Sequence, residues 1–300
     1  MIDKHRALER ARSPKIIFVG GSNLAFGLDS QAISKAFSEP VVNMGVSVNL
    51  GLRYQLEEIK DEINEGDTIV ISPEYDLLAQ DPFFSTCMIE GPRVMPRSAI
   101  WVLRSYATSP NGIITGGSNL SQVLQDKWTS WRWLIKEQFQ DDHPKPTAKR
   151  LINPGEIEAL NRSHFTPEGD LIGHLSMPSY AQNWLSPIKP IQSSTIEVLN
   201  DFAKFVQHRG ARVVMLPPPL ARSAYDFNER RIETMYSLCR RNLIFPVLSQ
   251  PSRYVFDNKQ FFNTMWHLLA EGRQKRTQLA IEDLSPLGWK ATQPQLQKLP

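Results

Sequence analysis

The chain has 300 residues, of which 41% are hydrophobic and 9% aromatic, a composition that is typical of a globular protein and excludes an intrinsically disordered one. Its 34 basic and 31 acidic residues leave a formal charge of +3, which is too balanced to predict a nucleic acid or another polyanion as partner. This length suits one large domain, or one domain with a sizeable insertion.

Cysteine usage and apolar runs exclude further classes of protein. The two cysteines, Cys87 and Cys239, lie in no CxxC spacing, so the sequence predicts neither a disulfide framework nor a zinc site. The first residues lack the apolar core of a signal peptide, and no run reaches the roughly 18 apolar residues of a membrane span. We therefore expect no transmembrane segment and a cytoplasmic protein by default; a periplasmic or cell-envelope location stays open if the chain is a truncated piece.

Short apolar runs rich in β-branched residues predict the strands of a parallel sheet. The runs are Ile16–Val19, Val41–Asn43, Thr68–Ser72, Ala211–Leu216 and the weaker Leu243–Val247. Apolar residues at helical spacing lie between or after them, in Leu50–Asn64, Thr195–His208, Phe227–Arg241 and Leu268–Leu284. Strands that alternate with helices predict a doubly wound, three-layer α/β/α fold with both faces of the sheet covered.

The stretch from about residue 79 to residue 190 interrupts this alternation. It is rich in proline and holds five of the seven tryptophans, which are Trp101, Trp128, Trp131, Trp133 and Trp184. We interpret it as an insertion after the third strand, helical around Asn119–Phe139 and a polar loop around Asp141–Ala148. Because insertions at the carboxyl ends of strands lie over the ligand crevice, this one is either a lid or substrate platform, or a subdomain with its own small core.

Ser22 and His267 are the two residues from which a reaction can be argued. Ser22 follows the first predicted strand and two glycines, Gly20 and Gly21, so little bulk crowds its hydroxyl. His267 precedes the last predicted helix, and in a doubly wound fold the two side chains could meet as a nucleophile and its base. The motif is not the GxSxG elbow, and a tight turn capping the next helix is the alternative interpretation.

Three further residues follow predicted strands. Gly45 lies after the second strand, where glycine allows close backbone approach and its N–H could donate to an oxyanion. Glu74 and Tyr75 follow the third strand, at the edge of the crevice, where they could orient substrate or donate to an oxyanion. A solvated loop is the alternative for these two. The remaining histidines, among them His5 in a frayed terminus and His174 in the insertion, are predicted to be structural or exposed.

In their order along the chain, these segments resemble the blocks of the SGNH (GDSL-like) hydrolase superfamily. Gly20-Gly21-Ser22 matches the first block, with Gly21 where the family usually has Asp. Asn43-Met44-Gly45 matches the second block, whose glycine supplies an oxyanion N–H. Ser72-Pro73-Glu74-Tyr75 occupies the place of the third block without its Gly-x-Asn-Asp. Residues 262–268, followed by Ala270-Glu271-Gly272, resemble the last block of SGNH-like proteins of bacterial cell-envelope and polysaccharide acylation.

The resemblance implies a single flavodoxin-like SGNH domain over residues 1–300, with the insertion within it. It also implies a serine esterase or O-acyltransferase that acts on acylated carbohydrate and needs no metal or organic cofactor. Ser22 would attack the acyl carbonyl, His267 would take its proton, and the backbone N–H groups of Ser22 and Gly45 would hold the oxyanion. The acyl group on Ser22 would then pass to water or to a sugar hydroxyl.

The acid that the family carries a few residues before its histidine is missing. Asn263 and Thr264 fill those places, and the nearest upstream carboxylate is Asp257. Asn263 and Asp257 are therefore candidate orienting residues, together with a backbone carbonyl. Two other interpretations remain open. The enzyme is slow and uses a tethered or activated acyl donor, or the site is degenerate and the protein is a carbohydrate-binding or assembly member of the family.

Overall fold

The structure is a computed structural model that describes residues 1–82, 98–107, 158–180 and 185–288. The predicted helix around Asn119–Phe139 and the predicted loop around Asp141–Ala148 lie outside the described residues. Four parallel strands form one sheet in the order β2-β1-β3-β4. Their bounds are β1 (Ile16–Val19), β2 (Val41–Asn43), β3 (Thr68–Ile71) and β4 (Arg212–Met215).

The register places β1 at the centre of the sheet. Ile16 lies opposite Val41 of β2 on one side and opposite Thr68 of β3 on the other. Every residue of β1 and β3 is buried. Because successive side chains of a strand point to opposite faces, this burial means that both faces of the sheet are covered. The predicted α/β class with a parallel, two-sided sheet is therefore confirmed.

Helices lie on both sides of this sheet. Among the described residues their bounds are α1 (Ile2–Arg10), α2 (Ser22–Gly27), α3 (Ser30–Phe37), α4 (Leu52–Glu57), α5 (Tyr75–Ala79), α6 (Ser98–Ala107), α7 (Ser193–His208), α8 (Arg222–Asn242) and α9 (Ala270–Leu284). Short 3₁₀ turns include Val48–Leu50, Lys60–Glu62 and Asn258–Gln260. In the part of the chain that the structure describes, no helix combines the length and apolarity needed to cross a membrane.

Two predicted elements differ from the structure. The predicted helix Leu50–Asn64 is broken, with Gly51 at a φ of 79° between a 3₁₀ turn and α4; glycine adopts this left-handed backbone readily. The predicted fifth strand is reduced to one bridge between Val247 and Met215. The preceding residue, Pro246, has no N–H to extend the ladder, so only its carbonyl pairs, with the N–H of Met215.

The prediction of a frayed amino terminus is wrong. Residues Ile2–Arg10 form α1, whose His5 is buried with its Nε2 2.6 Å from Oε1 of Glu58. The ring of Trp101 stacks on His5 at a centroid distance of 4.5 Å. Trp101 is therefore a buried packing residue rather than part of an exposed substrate platform. The other four tryptophans of the predicted insertion lie outside the described residues.

Candidate active site

Ser22 is the first residue of α2 and lies directly beyond the carboxyl end of β1. The two glycines before it are required because the end of β3 comes very close. A Cβ on Gly20 would lie 2.4 Å from the carbonyl oxygen of Ser72, and a Cβ on Gly21 would lie 2.0 Å from Oε2 of Glu74. No side chain larger than hydrogen fits at either position without displacing these neighbours. The turn therefore presents Ser22 half-buried above the sheet edge.

Ser22 and His267 meet as the sequence predicts. Ser22 Oγ lies 2.9 Å from Nε2 of His267, and Nδ1 of the same ring lies 2.8 Å from Oδ1 of Asn263. Both distances are those of hydrogen bonds. An amide oxygen only accepts, so the imidazole carries its hydrogen on Nδ1 and offers the Nε2 lone pair to the hydroxyl of Ser22. This is the tautomer that a general base requires.

A tight turn brings Asn263 beside His267. The N–H of Phe262 donates to the carbonyl of His267 at 2.8 Å, and Phe261 pairs with Leu268 in an antiparallel bridge. Within the turn, Thr264 Oγ1 lies 3.2 Å from the N–H groups of both Trp266 and His267. Thr264 therefore holds the backbone of the turn, while Asn263 is left to orient the imidazole.

Asp257 orients a different element. Its side chain accepts from the backbone N–H of Gln260, and the side chain of Gln260 accepts from the N–H of Asp257, which forms a capping box on the 3₁₀ turn Asn258–Gln260. Of the candidate orienting groups, the side chain of Asn263 is the one within hydrogen-bond distance of His267.

The surroundings of His267 disfavour its charged form. The ring of Phe26 lies parallel to the imidazole, with the two centroids 3.7 Å apart and 7° between the planes. Burial, together with the neighbouring His174, lowers the pKa of His267 to about 3. The imidazole is therefore neutral at ordinary pH, so it is always available as an acceptor but is a weak base.

Asn23, the residue after Ser22, is held at each of its polar groups. Its N–H donates to Glu74 Oε1 at 2.9 Å, and its side-chain amide donates to the carbonyl of Ser72 at 3.0 Å. Its backbone carbonyl and its side-chain oxygen each accept from the guanidinium of Arg276 at 2.6 Å. The buried hydrogen bonds of Asn23 rigidify the backbone next to Ser22.

Arg276 comes from α9 and is almost completely buried. Its guanidinium fits because Gly27 has no side chain; a Cβ there would lie 2.6 Å from Nη1. Burial lowers the pKa of Arg276 to about 10, so the group stays charged at neutral pH. Sequence reasoning missed Arg276. The available signal is its position on the buried stripe of α9, between Gly272 and Ala280 at four-residue spacing.

Glu74 and Tyr75 lie inside the protein rather than at its surface. Both are fully buried. Tyr75 packs edge-on against Tyr236, with ring centroids 5.7 Å apart. One oxygen of Glu74 receives the N–H of Asn23, whereas the other has no partner among the described residues, and burial raises the pKa of this carboxyl. In this structure neither side chain is accessible to a substrate; Glu74 supports the turn that carries Ser22.

The backbone N–H groups of Ser22 and Gly45 differ in their availability to an oxyanion. Gly45 approaches α2 closely, since a Cβ there would lie 2.5 Å from Cβ of Leu24. Its N–H, however, donates to Oδ1 of Asn43 at 2.9 Å. Ser22 is the first residue of a helix, where an N–H has no intrahelical acceptor. Ser22 is therefore the more available of the two donors, and Gly45 would have to release Asn43 to serve.

In residues 1–82, 98–107, 158–180 and 185–288, no group of three or more His, Cys, Asp or Glu side chains is placed to hold a metal ion.

No protein-family model matches the chain, and no curated protein matches it significantly. The local chemistry of Ser22, His267 and Asn263 therefore carries the functional argument.

Proposed function

We propose that this protein is an SGNH-like serine esterase or O-acyltransferase that acts on acylated carbohydrate, with Ser22 as the nucleophile and His267 as the base. The hydrogen-bonded series Ser22 Oγ, His267 and Asn263, with distances of 2.9 and 2.8 Å, is the observation that carries the proposal. A serine, a histidine and a third group that orients the histidine form the arrangement that generates an acyl-enzyme.

The place of the series in the sheet supports a ligand site. Ser22 follows β1, and Ser72 follows β3, its neighbour in the order β2-β1-β3-β4. In a flavodoxin-like sheet the chain reverses its direction of winding between these two strands, and ligands bind in the crevice at their carboxyl ends. The carbohydrate component of the proposal is supported by the resemblance of the residues around His267 to polysaccharide-acylation proteins.

In the first half of the proposed reaction, the proton of the Ser22 hydroxyl moves to Nε2 of His267 as Oγ bonds to the acyl carbon. The backbone N–H of Ser22 stabilises the oxygen that becomes negative. The bond to the leaving alcohol then breaks, and Nε2 returns the proton to the alcohol oxygen. In the second half, water or a sugar hydroxyl gives its proton to Nε2 of His267 as its oxygen attacks the acyl carbon. The bond between the acyl carbon and Ser22 Oγ then breaks, and Nε2 returns the proton to Oγ. Asn263 keeps the hydrogen on Nδ1 throughout.

One observation favours a second candidate, a non-catalytic carbohydrate-binding or assembly protein on the same fold. Asn263 is neutral, so it fixes the tautomer of His267 but adds no charge that would stabilise an imidazolium. The low pKa of His267 also favours the non-catalytic candidate, because a weak base activates serine less well. This candidate predicts glycan binding that survives both Ser22→Ala and His267→Ala, without turnover.

The test is intact-mass analysis after exposure to a fluorophosphonate, with Ser22→Ala and heat-denatured wild type as controls. We expect one adduct on the native wild-type protein and none in either control. Acetylated oligosaccharides are then assayed for release or transfer of acetate. Absence of an adduct on the native protein would refute the esterase proposal and leave the binding protein, which glycan-binding measurements on both alanine variants would then examine.

A further inference from the structure

Residues 165–180, which we call the strap, are hydrogen-bonded to both segments of the candidate site. On the Ser22 side, the N–H of Leu171 donates to the carbonyl of Ala25 in α2 at 2.8 Å. On the His267 side, the N–H of Tyr180 donates to the carbonyl of Phe262 at 2.7 Å. The hydroxyl of Ser179 donates to the carbonyl of Phe261 at the same distance. The strap therefore joins α2 to the turn that carries the histidine.

His174 makes this connection with a single group. It is completely buried, and its Nε2 lies 2.8 Å from the carbonyl oxygen of Leu268 and 3.2 Å from that of Phe26. Carbonyl oxygens only accept, so Nε2 carries a hydrogen that the two share. Phe26 lies one helical turn after Ser22, and Leu268 follows His267 directly. One N–H thus bridges the backbone of the nucleophile helix and the backbone of the histidine turn.

The same contact also positions the aromatic ring that stacks on His267. The ring of Phe26 stacks on His267, and the ring of His174 lies 4.7 Å from that of Phe26. Because the carbonyl of Phe26 is tied to His174, displacement of the strap would move both the helix and the stacked ring. A displacement of about 1 Å can cost about 100-fold in rate in an enzyme site.

We infer that His174 is a positioning residue of this site, which holds Ser22 and His267 at their hydrogen-bonding separation through one N–H shared by two backbone carbonyls. The inference rests on the proposed function for its kinetic consequences but not for its structural ones. It assigns the carboxyl-terminal part of the predicted insertion to the architecture of the site, rather than to a separate subdomain.

The experiment compares His174→Phe, which keeps an aromatic ring but has no donor, with His174→Gln, whose amide retains a donor. The fluorophosphonate labelling rate of each folded variant is measured, together with ¹⁵N NMR of the His267 ring. For His174→Phe we expect labelling about 10- to 100-fold slower and a changed Nε2 signal of His267, because the hydrogen bond to Ser22 is lost while Asn263 still holds the hydrogen on Nδ1. His174→Gln is expected to recover part of both. His208→Phe, a matched change at the exposed carboxyl end of α7, is expected to leave both unchanged.

The two proposals fail in different ways. Absence of labelling on the wild-type protein would overturn the proposed function, and the NMR comparison alone would then decide the inference. Unchanged labelling and unchanged His267 signals in folded His174→Phe would overturn the inference and leave the proposed function intact. If His174→Phe does not fold, ¹⁵N NMR of the wild-type His174 ring replaces it, because the inference requires the hydrogen on Nε2. A His174 ring protonated at Nδ1 would then overturn the inference.

Discussion

Nδ1 of His267 lies 2.8 Å from the side-chain oxygen of Asn263, so a neutral amide is the group that orients the imidazole. An asparagine in this role occurs in papain-like cysteine proteases, where it also fixes the ring without adding charge. The arrangement separates two contributions that an aspartate makes together. Asn263 fixes the tautomer and the orientation of the ring, but it does not stabilise the imidazolium.

Replacing Asn263 with Asp should raise the pKa of His267 from about 3, because a carboxylate next to the ring favours its charged form. The opposite change in a serine protease lowers turnover about ten-thousand-fold, and we expect Asn263→Asp to accelerate fluorophosphonate labelling by about tenfold or more. Asn263→Leu, of similar size but without an acceptor, should slow labelling by a similar factor. Slower labelling of Asn263→Asp than of wild type would contradict this account.

The acid side of the pH profile should be flat in the wild-type protein. A histidine whose pKa lies at about 3 does not take up a proton as the pH falls from 8 to 5, so the base remains available throughout. Labelling rates measured across this range should therefore show no acid limb, whereas Asn263→Asp should acquire one at higher pH than the wild type. An acid limb near pH 6.5 in the wild type would show that His267 titrates normally.

Removal of Arg276 should disorder the turn that carries Ser22. Arg276→Met leaves both oxygens of Asn23 without their donor and leaves the buried carboxyl of Glu74 without its nearby cation. Breaking a buried charge network typically lowers the free energy of unfolding by about 3–5 kcal/mol. We expect a loss of this size in urea unfolding, together with slower labelling of the protein that remains folded.

Lys15→Met is the matched control for Arg276→Met. Lys15 is also buried, and its Nζ lies 2.8 Å from Oδ2 of Asp67, just before β1 and therefore at the opposite end of the sheet from Ser22. The control variant should lose stability, while labelling of its folded fraction stays close to that of wild type. Equal effects of the two variants on the labelling rate would show that Arg276 acts through global stability alone.

His174 should make the protein sensitive to mild acid. Burial lowers the pKa of His174 from 6.5 to about 4, so between these values the unfolded chain binds the proton and the folded chain does not. Stability from this group is therefore fully present above pH 6.5 and is lost as the pH falls towards 4. The loss amounts to about 3 kcal/mol at 1.4 kcal/mol per pKa unit.

Urea unfolding of wild type and His174→Gln at a series of pH values between 7 and 4 measures this contribution. The glutamine variant has no titrating ring at this position, so its free energy of unfolding should fall less steeply than that of wild type. Parallel curves would mean that His174 takes up its proton equally well in the folded and unfolded chains.

The central strands and the pairing of Ser22 with His267 could be predicted from the sequence for a local reason. Ile16–Val19 and Thr68–Ile71 are short, continuous apolar runs, and only a strand buried on both faces suits them. In a two-sided parallel sheet, residues that follow strands are gathered at one edge. Ser22 follows the first strand, so its place at that edge could be predicted from its position in the chain.

Only the tertiary structure decided which groups support this pair. The choice of Asn263 over Asp257 depends on the path of a turn whose backbone is held by Thr264, and nothing in residue spacing specifies that path. Arg276 and His174 reach the site from elements far from Ser22 in sequence, and each is a polar residue in a buried position. The sequence by itself placed a hydroxyl after the first strand and an imidazole before the last helix, because both elements follow from local pattern. The contacts that hold them there form between distant segments, so they became visible only when the chain was folded.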